Sequence, residues 1–407
     1  MEEEQINFSV PKRVFYNSHM RFCRSIASLA VGAIDEKIEL CDAFCASGIR
    51  GIRYAKENQN VKKITFLDIN RNATSAAKKN AQKNKIKTRT ALTTGNISRL
   101  VFDIVCDFAE IDPFGSPVPY LYDSFRFFNP LKHGYLSVTA TDVAVTCGGK
   151  AKACLKNYHS KPLNNEFTHE TGIRILLKKI AETAAEFNMG IEPLFSLSHR
   201  HYQKVLVKCV RSADAADKTM RSLGYVNYCE SCGWRESSQF PVSGPEIPQN
   251  FWNLRQQPHG CQCPESNRTK NSKPETQDTK HRTLDTKPWT LNTGHRTLFA
   301  GPLWLGELHN NEFLKRMGLL NAQRNYTDKL LIEKTLMRMK EEVGMPPYYF
   351  NLSKLCQFYK IGQTPKFEIV IKRLHDSGYR AARTHFCESS IKSDAPLHEI
   401  KKCLTTV

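Results

Sequence analysis

The chain has 407 residues, of which 40% are apolar and 24% are charged, and this balance excludes a disordered polyelectrolyte. Its length exceeds what one ordinary core accommodates, so we expect two or more domains. The longest apolar run near the start, residues 26–34, is too short to span a bilayer, and the acidic opening MEEEQ is unlike a signal or transit peptide. We therefore expect a cytoplasmic protein with no membrane segment. Its net charge of +19 favours a polyanionic partner, although a basic solvated surface would give the same charge.

The first half of the chain alternates short β-type runs with helical stretches. The predicted strands are residues 38–41, 63–67, 104–111, 135–140, 191–197 and 202–210. The predicted helices are residues 49–58, 71–83, 171–187 and 213–223. Such alternation predicts an α/β fold with a parallel or mixed sheet wound by helices. The last two strands have no helix between them, which allows one antiparallel edge strand.

A change of composition begins near Tyr225, where Cys, Gly, Ser, Pro and Gln become frequent. Residues 266–298 contain the related units DTKHRTL, DTKPWTL and NTGHRTL, which predict a mobile, basic surface insertion and not a coiled coil. Order resumes at Gly301. The predicted elements are then a helix over 327–343, helical residues 352–358, a turn at 362–365, a helix over 367–377 and the β-type stretch YRAARTHF. This order resembles a small winged-helix module.

The first predicted strand opens into CDAFCASGIRGIR, a loop of small residues followed by a helix. Ser47 and Gly48 let the backbone approach a ligand, and the helix N-terminus favours negative charge. The spacing is not G-x-G-x-x-G, so a tight strand–helix turn also explains the segment. The second strand ends in Asp68, about twenty residues further on, where a carboxylate can accept the hydrogens of both ribose hydroxyls. Asp68 also suits the N-cap of the next helix, and the two roles are compatible.

The strand FDIVCDFAEI ends in Asp112, which is followed by Pro113, Phe114, Gly115, Ser116 and Pro117. A carboxylate, a proline and an aromatic at the end of a strand suit the methylation of an exocyclic amine. Such an amine, for example N2 of guanine, is a poor nucleophile because its lone pair is delocalised into the ring. A carboxylate can hold the amine hydrogens and take a proton as the methyl group transfers. Proline stiffens the turn and Phe114 can stack on a base, although Asp-Pro and Phe-Gly are also ordinary turn material. Following the small-residue loop and Asp68 in this order, the segment favours S-adenosylmethionine as cofactor over a dinucleotide.

With these loops in place, the chain resembles the tRNA (guanine-26-N2)-dimethyltransferase family of archaeal and eukaryotic type. The resemblance extends over nearly the whole chain except the insertion. Its motifs are VFYNSHM (14–20) with Arg24, ASGIRGIR (46–53), FLDIN (66–70), DPFGSP (112–117), TATDVAVTCGG (139–149), GPLWLG (301–306) and ARTHF followed by IKSDAP (382–396). The resemblance implies methyl transfer from S-adenosylmethionine to N2 of guanine 26, giving N2,N2-dimethylguanine, with tRNA as partner and no protein partner.

The resemblance also implies roles for individual residues. The implied cofactor contacts are Arg24, Arg50 and Asp68, beside the loop residues Ser47 and Gly48. The implied catalytic group is Asp112, and the aromatics implied to hold the target guanine are Phe15 and Phe114. A core position in an N-terminal arm would also explain Phe15. The family has an aspartate-containing segment near the adenine; here TTGNISRL lacks an aspartate, and Asn96 could supply a hydrogen bond instead.

Four segments follow from the patterns and the resemblance together. They are a Rossmann-like class I methyltransferase domain (1–225), a cysteine-containing junction (226–265), the low-complexity insertion (266–298) and a smaller α+β C-terminal tRNA-binding domain with a winged-helix-like part (299–407).

Four of the 14 cysteines are grouped in the predicted junction. Cys229-x-x-Cys232 followed by glycine has the turn geometry of a zinc knuckle, in which two thiolates converge on one tetrahedral ion. Family members commonly offer a second C-x-x-C, but here HGCQCPES has Ser266 at the last cysteine position. Cys261 and Cys263 could complete a structural zinc site, with His259 as a substitute ligand. The alternative is a decayed site that binds no metal.

Two other functions fit parts of this pattern. Another nucleic-acid amine methyltransferase, acting on guanine N2 of ribosomal RNA or adenine N6 of DNA, would share both loops. A non-catalytic RNA-binding protein would predict a damaged catalytic loop, whereas residues 112–117 are intact. GPLWLG and the tail motifs favour tRNA.

Overall fold

The computed structural model describes residues 1–130, 132–239, 289–290 and 296–405. The N-terminal arm begins with a hairpin of β1 (Glu2–Glu3) and β2 (Ile6–Asn7), and continues through a 3₁₀ turn (Ser18–Met20) into α1 (Arg21–Gly32). Helix α1 is buried continuously from Phe22 to Val31. It was not among the predicted helices, although Arg21, Arg24, Ser25 and Ser28 recur at helical spacing beside an apolar face.

The central sheet has seven strands. They are β3 (Ile38–Asp42), β4 (Val61–Asp68), β5 (Arg89–Thr94), β6 (Phe108–Ile111), β7 (Gly134–Ala140), β8 (Met189–His199) and β9 (Tyr202–Arg211). Their order across the sheet is β5-β4-β3-β6-β7-β9-β8, and within this sheet β9 alone runs in the direction opposite to the other six strands. The predicted α/β fold with a mixed sheet is confirmed.

Helices cover both faces of this sheet. They are α2 (Ile49–Glu57), α3 (Arg71–Lys83), α4 (Ile97–Leu100), α5 (Val118–Ser124), a 3₁₀ turn (Phe125–Phe127), α6 (Val143–Thr146), α7 (Ala151–Tyr158), α8 (Thr168–Ala185) and α9 (Ala213–Arg221). Successive strand residues enter two separate cores, as Leu40 and Cys41 do on β3. This is the two-sided burial expected of a sheet wound by helices, and the four helices predicted in this half are confirmed within a few residues.

The sheet differs from the prediction in three details. The antiparallel strand β9 lies one place in from the edge, because α8 carries the chain to the outermost position and β8 then returns through a tight turn at residues 200–201. Strand β6 begins at Phe108 and not at Ile104. The Ile104 side chain is buried, but its backbone belongs to an irregular segment before the strand. Strand β5 was missed because an edge strand with alternating polar residues carries no apolar run.

A second, antiparallel sheet joins segments on either side of the insertion. Its strands are β10 (Leu223–Cys229), β11 (Arg235–Gln239), β12 (Trp289–Thr290) and β13 (Arg296–Trp304), in the order β11-β10-β13-β12. The predicted boundary after residue 225 therefore falls inside β10, and β13 begins inside the predicted insertion. Because β10 pairs with β13, both the end of the predicted first domain and the end of the predicted insertion fall within this sheet. Most of the insertion lies outside the described residues.

The next two helices, α10 (Asn311–Gln323) and α11 (Lys329–Glu341), pack on the first domain. Phe313 and Met317 share a core with Ile26 and Leu29 of α1. The first part of the predicted C-terminal domain is therefore continuous with the α/β domain, a contact that sequence separation concealed.

The chain ends in a small module with its own core. Its elements are β14 (Phe350–Asn351), α12 (Leu352–Phe358), α13 (Phe367–Asp376), β15 (Ala381–Arg383), β16 (Ser390–Ser393) and α14 (Leu397–Thr405). Its sheet order is β14-β16-β15, and the helix–turn–helix–strand order matches the order the sequence indicated. Throughout the described ranges, no helix combines the length and apolar character needed to cross a membrane.

Buried ion pairs fasten the N-terminal arm to the first domain. Glu3 Oε1 accepts from Arg24 Nε at 2.8 Å and from Arg53 Nη1 at 3.0 Å. The Tyr16 hydroxyl donates to Glu3 Oε2 at 3.0 Å. Burial alone would raise the pKa of Glu3, but the hydrogen bonds and charges of Arg24 and Arg53 hold that pKa below its ordinary value.

We expect Glu3→Gln to lower the free energy of unfolding by roughly 3–5 kcal/mol at neutral pH, since the buried Arg24 would lose its anion and Arg53 would keep only Glu57. Folding lowers the pKa of Glu3, so its contribution is complete above the ordinary value of 4.5 and is lost as the pH falls through the folded value. Denaturant unfolding at pH 7 and pH 4 checks both statements, with the exposed Glu2→Gln as control. Equal stabilities of wild type and Glu3→Gln at pH 7 would contradict this role.

Candidate active site

The small-residue loop after β3 is shaped by close contact with α3. Gly48 has φ of +77°, and a Cβ there would lie 2.8 Å from the Ala77 Cβ and 2.9 Å from its Cα, so only glycine fits. Ala46 also has a positive φ, of +45°. The Ser47 carbonyl accepts from Asn80 Nδ2 at 2.8 Å, which ties the loop to α3. The loop is thus a rigid cradle at the N-terminus of α2, as predicted for a cofactor site.

Asp68 lies against this loop. Its Oδ2 accepts from the Ala46 amide at 2.9 Å, and its Oδ1 accepts from the Asn70 amide at 2.9 Å. The adjacent strands β3 and β4 bring the two segments together, since both end at the same edge of the sheet. Each carboxylate oxygen keeps a further lone pair, so Asp68 can still accept from ribose hydroxyls.

Asn96 stands beside Asp68 at the start of α4. Its side-chain oxygen accepts from the Ser98 amide at 2.8 Å, which makes it the N-cap. The neighbouring Gly95 amide donates to the Asp68 carbonyl at 3.0 Å. Asn96 is exposed at the cofactor edge, so its predicted role near the adenine stays a prediction that its position allows.

The two arginines predicted as cofactor contacts have different surroundings. Arg50 Nη2 donates to Asp112 Oδ2, and its Nη1 lies 3.5 Å from the Tyr54 hydroxyl and 3.9 Å from Glu110 Oε1. Arg24 instead binds Glu3, and its Nη2 donates to a backbone carbonyl of the N-terminal arm at 3.0 Å. The structure therefore joins Arg50 to the predicted catalytic carboxylate and places the Arg24 guanidinium in the arm contact.

The segment 112–117 is clamped to the loop that follows β7. The Gly115 amide donates to Thr141 Oγ1 at 2.8 Å, and the Thr141 amide donates to the Gly115 carbonyl at 3.0 Å. The Ser116 hydroxyl lies 3.0 Å from the Tyr158 hydroxyl, which donates to Asp142 Oδ1 at 2.9 Å. These bonds tie DPFGSP to TATDVAVTCGG, so the two motifs form one loop structure at the carboxyl edge of the sheet.

Asp112 is partly buried and ionised. Burial would raise its pKa, but the charges of Arg50 and Lys204 and a hydrogen bond from Thr139 hold the pKa of Asp112 below its usual range. A carboxylate with a lowered pKa is a weak base and a good hydrogen-bond acceptor. Such a group is suited to accepting hydrogen bonds and stabilising positive charge, more than to removing a proton from a weak acid.

Phe15 and Phe114 lie together at the surface, with 51% and 72% of their area exposed. Their ring centroids are 4.5 Å apart at an interplanar angle of 83°, an edge-to-face contact. The arm is held here because Asn70 Nδ2 donates to the Arg13 carbonyl at 2.9 Å and Val14 packs on α3. The predicted meeting of the two aromatics is observed, but a base between them needs centroids roughly 7 Å apart, twice a van der Waals contact, so the rings must separate to admit one.

Several buried polar groups of the site were not predicted. Glu110 precedes Asp112 by two positions, and Lys204 Nζ contacts both Glu110 Oε1 and Thr139 Oγ1, the latter at 3.1 Å. The Tyr54 hydroxyl donates to Glu110 Oε2 at 2.8 Å. A signal did exist, because FAEI and YQKVLV each place one charged residue inside an apolar strand, where an unpaired charge is costly.

Asp42, at the end of β3, is a second unpredicted acid. It is buried, and its Oδ2 accepts from the Gly51 amide at 3.1 Å. Burial and the neighbouring Glu110 raise the pKa of Asp42 to about 7, against the opposing charge of Arg50. Beneath the cofactor loop, Asp42 is therefore neutral more often than an ordinary aspartate.

The cysteine turn and one buried histidine cluster complete the candidate sites. Cys229 and Cys232 are buried in a turn where the Gly233 amide donates to the Cys229 carbonyl at 2.9 Å. Cys261 and Cys263 lie outside the described residues, so the structural zinc site stays a prediction.

His309, Glu342 and His385 each offer a possible ligand atom within 4.8 Å of the others, at the contact of the last module with the first domain. The Ser196 amide donates to His309 Nδ1 at 3.3 Å, which places the ring proton on Nε2. His385 Nδ1 lies 2.8 Å from Glu342 Oε1. A protonated Nε2 offers no lone pair, so this cluster is better described as a polar contact between modules than as a metal centre.

Because Asp42 is ionised less readily in the folded state, it contributes stability that is complete below its ordinary pKa of 3.8 and is lost as the pH rises to about 7. We expect Asp42→Asn, which resembles the neutral acid, to stabilise the protein relative to wild type at pH 8 and to do so much less at pH 5. Denaturant unfolding at both pH values measures this. A stability difference that does not change with pH would contradict the raised pKa.

Comparison with known proteins agrees with this geometry. A family profile described as N2,N2-dimethylguanosine tRNA methyltransferase matches residues 1–405. The chain is 31% identical over 416 residues to the tRNA (guanine(26)-N(2))-dimethyltransferase of Methanobrevibacter smithii, covering 100% of this chain and 94% of the relative. It is 29% identical to the tRNA (guanine(26)-N(2)/guanine(27)-N(2))-dimethyltransferase of Aquifex aeolicus, covering 96% and 89% of the two chains.

A solved structure of Trm1 from Pyrococcus horikoshii with S-adenosyl-L-methionine superposes with a TM-score of 0.81 at 27% identity, covering 100% of this chain and 99% of that one. The profile, the relatives and the superposition each extend along essentially the full chain. The chain therefore belongs to the N2,N2-dimethylguanosine tRNA methyltransferase family.

Proposed function

We propose that the protein transfers methyl groups from S-adenosylmethionine to the exocyclic N2 of guanine 26 in tRNA, giving N2,N2-dimethylguanine. The observation that carries this proposal is the meeting of two loops at one sheet edge. Residues 46–50 contact Asp68 at one end and Asp112 at the other. In a family whose members are named for this reaction, two carboxylates at one sheet edge support the proposal, one suited to ribose hydroxyls and one to the amine.

The cofactor loop fits S-adenosylmethionine by shape and by charge. The Gly48 position excludes a Cβ, and Asp68 has acceptor capacity for two ribose hydroxyls. The cofactor supplies an electrophilic methyl group on a positively charged sulfur. Asp112, ionised at neutral pH, is suited to an environment where positive charge is transferred to the amine.

Asp112 is proposed to orient the amine of the target guanine. Its carboxylate accepts an amine hydrogen, which draws the nitrogen lone pair out of conjugation and toward the methyl donor. Arg50 holds the carboxylate in place from behind. Methylated nitrogen is strongly acidic while it carries the extra charge, so a weak base suffices to take its proton afterwards.

The two exposed aromatics are proposed to receive the base. A guanine inside folded tRNA must leave its stack, at a cost of a few kcal/mol, before it can reach Asp112. Edge-to-face contact of Phe15 with Phe114 covers the site in the absence of RNA, and an entering base replaces that contact with stacking on ring faces. Exposure of both rings makes this exchange possible without unfolding a core.

The alternatives are disfavoured on specific grounds. A non-catalytic RNA-binding protein would not need the ionised Asp112 and its buried supports. Methylation of ribosomal RNA or DNA does not agree with the names of the curated relatives, which specify tRNA. The Aquifex aeolicus relative is named for guanines 26 and 27, so the choice between these positions must be measured for this chain.

A direct test uses purified protein, labelled S-adenosylmethionine and unmodified tRNA transcripts. Nucleoside mass spectrometry should detect N2,N2-dimethylguanosine, and replacing guanine 26 by adenine in the transcript should abolish it. Replacing guanine 27 distinguishes the second position. Methyl incorporation into ribosomal RNA or DNA with none into tRNA would overturn the proposal.

We expect Asp112→Ala to lower kcat by ~10²–10⁴-fold, because the amine loses its acceptor. Binding of S-adenosylmethionine, measured by calorimetry, should persist because Asp68 and the loop are unchanged. Asp103→Asn, at an exposed position before β6, is the matched control. Activity of Asp112→Ala close to that of the control would remove Asp112 from the reaction.

We expect Phe15→Ala and Phe114→Ala each to cost roughly 1–3 kcal/mol of transition-state stabilisation, read from kcat/KM for tRNA. Tyrosine at either position should restore most activity, since stacking requires only a π-face, and leucine should restore less. Neither alanine variant should alter cofactor affinity. If leucine equals phenylalanine at position 15, that residue only packs against its neighbour and the paired-aromatic site is wrong there.

A further inference from the structure

A chain of buried charges extends from the interior of the sheet to Asp112. Lys204 Nζ contacts Glu110 Oε1, Glu110 lies 3.9 Å from Arg50 Nη1, and Arg50 Nη2 donates to Asp112 Oδ2. Lys204 and Glu110 are completely enclosed and Arg50 nearly so, while Asp112 alone faces the site. Cations and anions therefore alternate in this series of side chains, from Lys204 in the core to Asp112 at the site.

The sheet itself aligns these groups. Lys204 on β9 is paired directly with Thr139 on β7, whose hydroxyl accepts from Lys204 Nζ at 3.1 Å. Glu110 is on β6, the next strand, two residues before Asp112, so both side chains project to the same side. The antiparallel insertion of β9 is thus what brings a lysine to the back of the catalytic loop.

The charges compete for one arginine. Arg50 lies between two carboxylates and bonds the outer one, Asp112, while the inner one, Glu110, is served by Lys204 and the Tyr54 hydroxyl. A buried carboxylate without a cation is strongly disfavoured. If Lys204 were absent, Glu110 would draw Arg50 inward and Asp112 would lose its partner.

We propose that Lys204 is a positioning residue for methyl transfer, which neutralises Glu110 so that Arg50 stays on Asp112 and holds that carboxylate ionised and correctly oriented. This inference rests on the proposed function, in which Asp112 receives the amine. Lys204 does not touch the substrate; it acts through Glu110 and Arg50.

Other ionisable groups share this environment and must be counted in any pH profile. Those facing Arg50 and Asp112 from the packed elements are Cys23 of α1, Asp42 of β3, Tyr54 of α2, Glu110 of β6, and Tyr202 and Lys204 of β9. Among them, Asp42 has a pKa of about 7, so its titration would add a further change to the pH–rate profile near neutral pH. Lys204 variants are therefore best compared with wild type and not with an ideal single titration.

The test combines a single variant with its charge-balanced partner. Lys204→Met should lower kcat by about tenfold to a hundredfold, because a misplaced catalytic group has effects of that order. The acid limb of its pH–rate profile should move to higher pH as Asp112 loses Arg50, with little change in cofactor affinity. Adding Glu110→Gln removes the competing anion, so the double variant should recover kcat to within about threefold of wild type.

Lys208→Met is the matched control, since it alters a partly exposed lysine on the same face of β9, near Glu36 and away from Asp112. A purely structural lysine would lower the melting temperature of Lys204→Met without moving the acid limb, and that result would overturn the proposal. So would a double variant no more active than Lys204→Met. If Lys204→Met fails to fold, the double variant still decides: wild-type-like activity supports the proposal, and inactivity in a folded double variant overturns it.

A measurement without turnover separates this inference from the proposed function. Aspartate carboxyl carbons labelled with 13C report the titration of Asp112 in the full-length protein, with its signal identified by loss in Asp112→Asn. An upward shift of that titration in Lys204→Met supports the positioning network even if tRNA proves not to be the substrate. An unchanged titration overturns it, even if the enzyme methylates tRNA as proposed.

Discussion

The enclosure of Glu110 within the central sheet sets a constraint on the whole catalytic face. A carboxylate surrounded by apolar side chains must have a cation and hydrogen-bond donors, and Lys204 and Tyr54 supply them. Their presence leaves Arg50 available to Asp112. The low pKa of Asp112, the proposed amine acceptor, thus depends on a charge balance one layer deeper in the protein.

The same loop that presents Arg50 also carries the cofactor cradle. Ala46 donates to Asp68 and Arg50 binds Asp112, so a segment of five residues couples the two ends of the site. A small-residue turn with a glycine pressed against α3 has little freedom to move. In the proposed function, one rigid element would therefore position both the methyl donor and the acceptor amine, which favours accurate alignment over adaptability.

The exposed part of the site is built differently. Phe15 comes from an arm that depends on the buried Glu3 ion pairs and on contacts with α3, and Phe114 comes from a loop clamped by Thr141. Rigid supports beneath two exposed rings allow the rings themselves to separate at low cost. Because Lys392 Nζ donates to Glu170 Oε1 of α8, and Tyr349 and Phe386 pack in a core of the first domain, the last module has a defined position relative to this domain.

Much of this protein follows from local sequence. The alternation of strands and helices determined the α/β class, and the order of a small-residue loop, Asp68 and DPFGSP determined the cofactor and reaction type, because motifs at the carboxyl ends of parallel strands meet whatever the loops between them. Predictions failed where burial or pairing removed the local pattern. The polar residues of α1, such as Arg24, Ser25 and Ser28, are buried with its apolar ones, and the edge strand β5 has no apolar run.

Only the tertiary structure decided which charges meet. Nothing in the sequence near Lys204 indicates that β9 inserts beside β7, and this long-range pairing is what places its ammonium group behind Asp112. The same holds for Arg24, for which the sequence predicts a cofactor contact. Its ion pair with Glu3 could not be predicted, because it depends on how the N-terminal arm packs against α1. Local motifs predict which groups form the site. The partners of those groups, and hence their pKa values, depend on contacts between residues far apart in the chain.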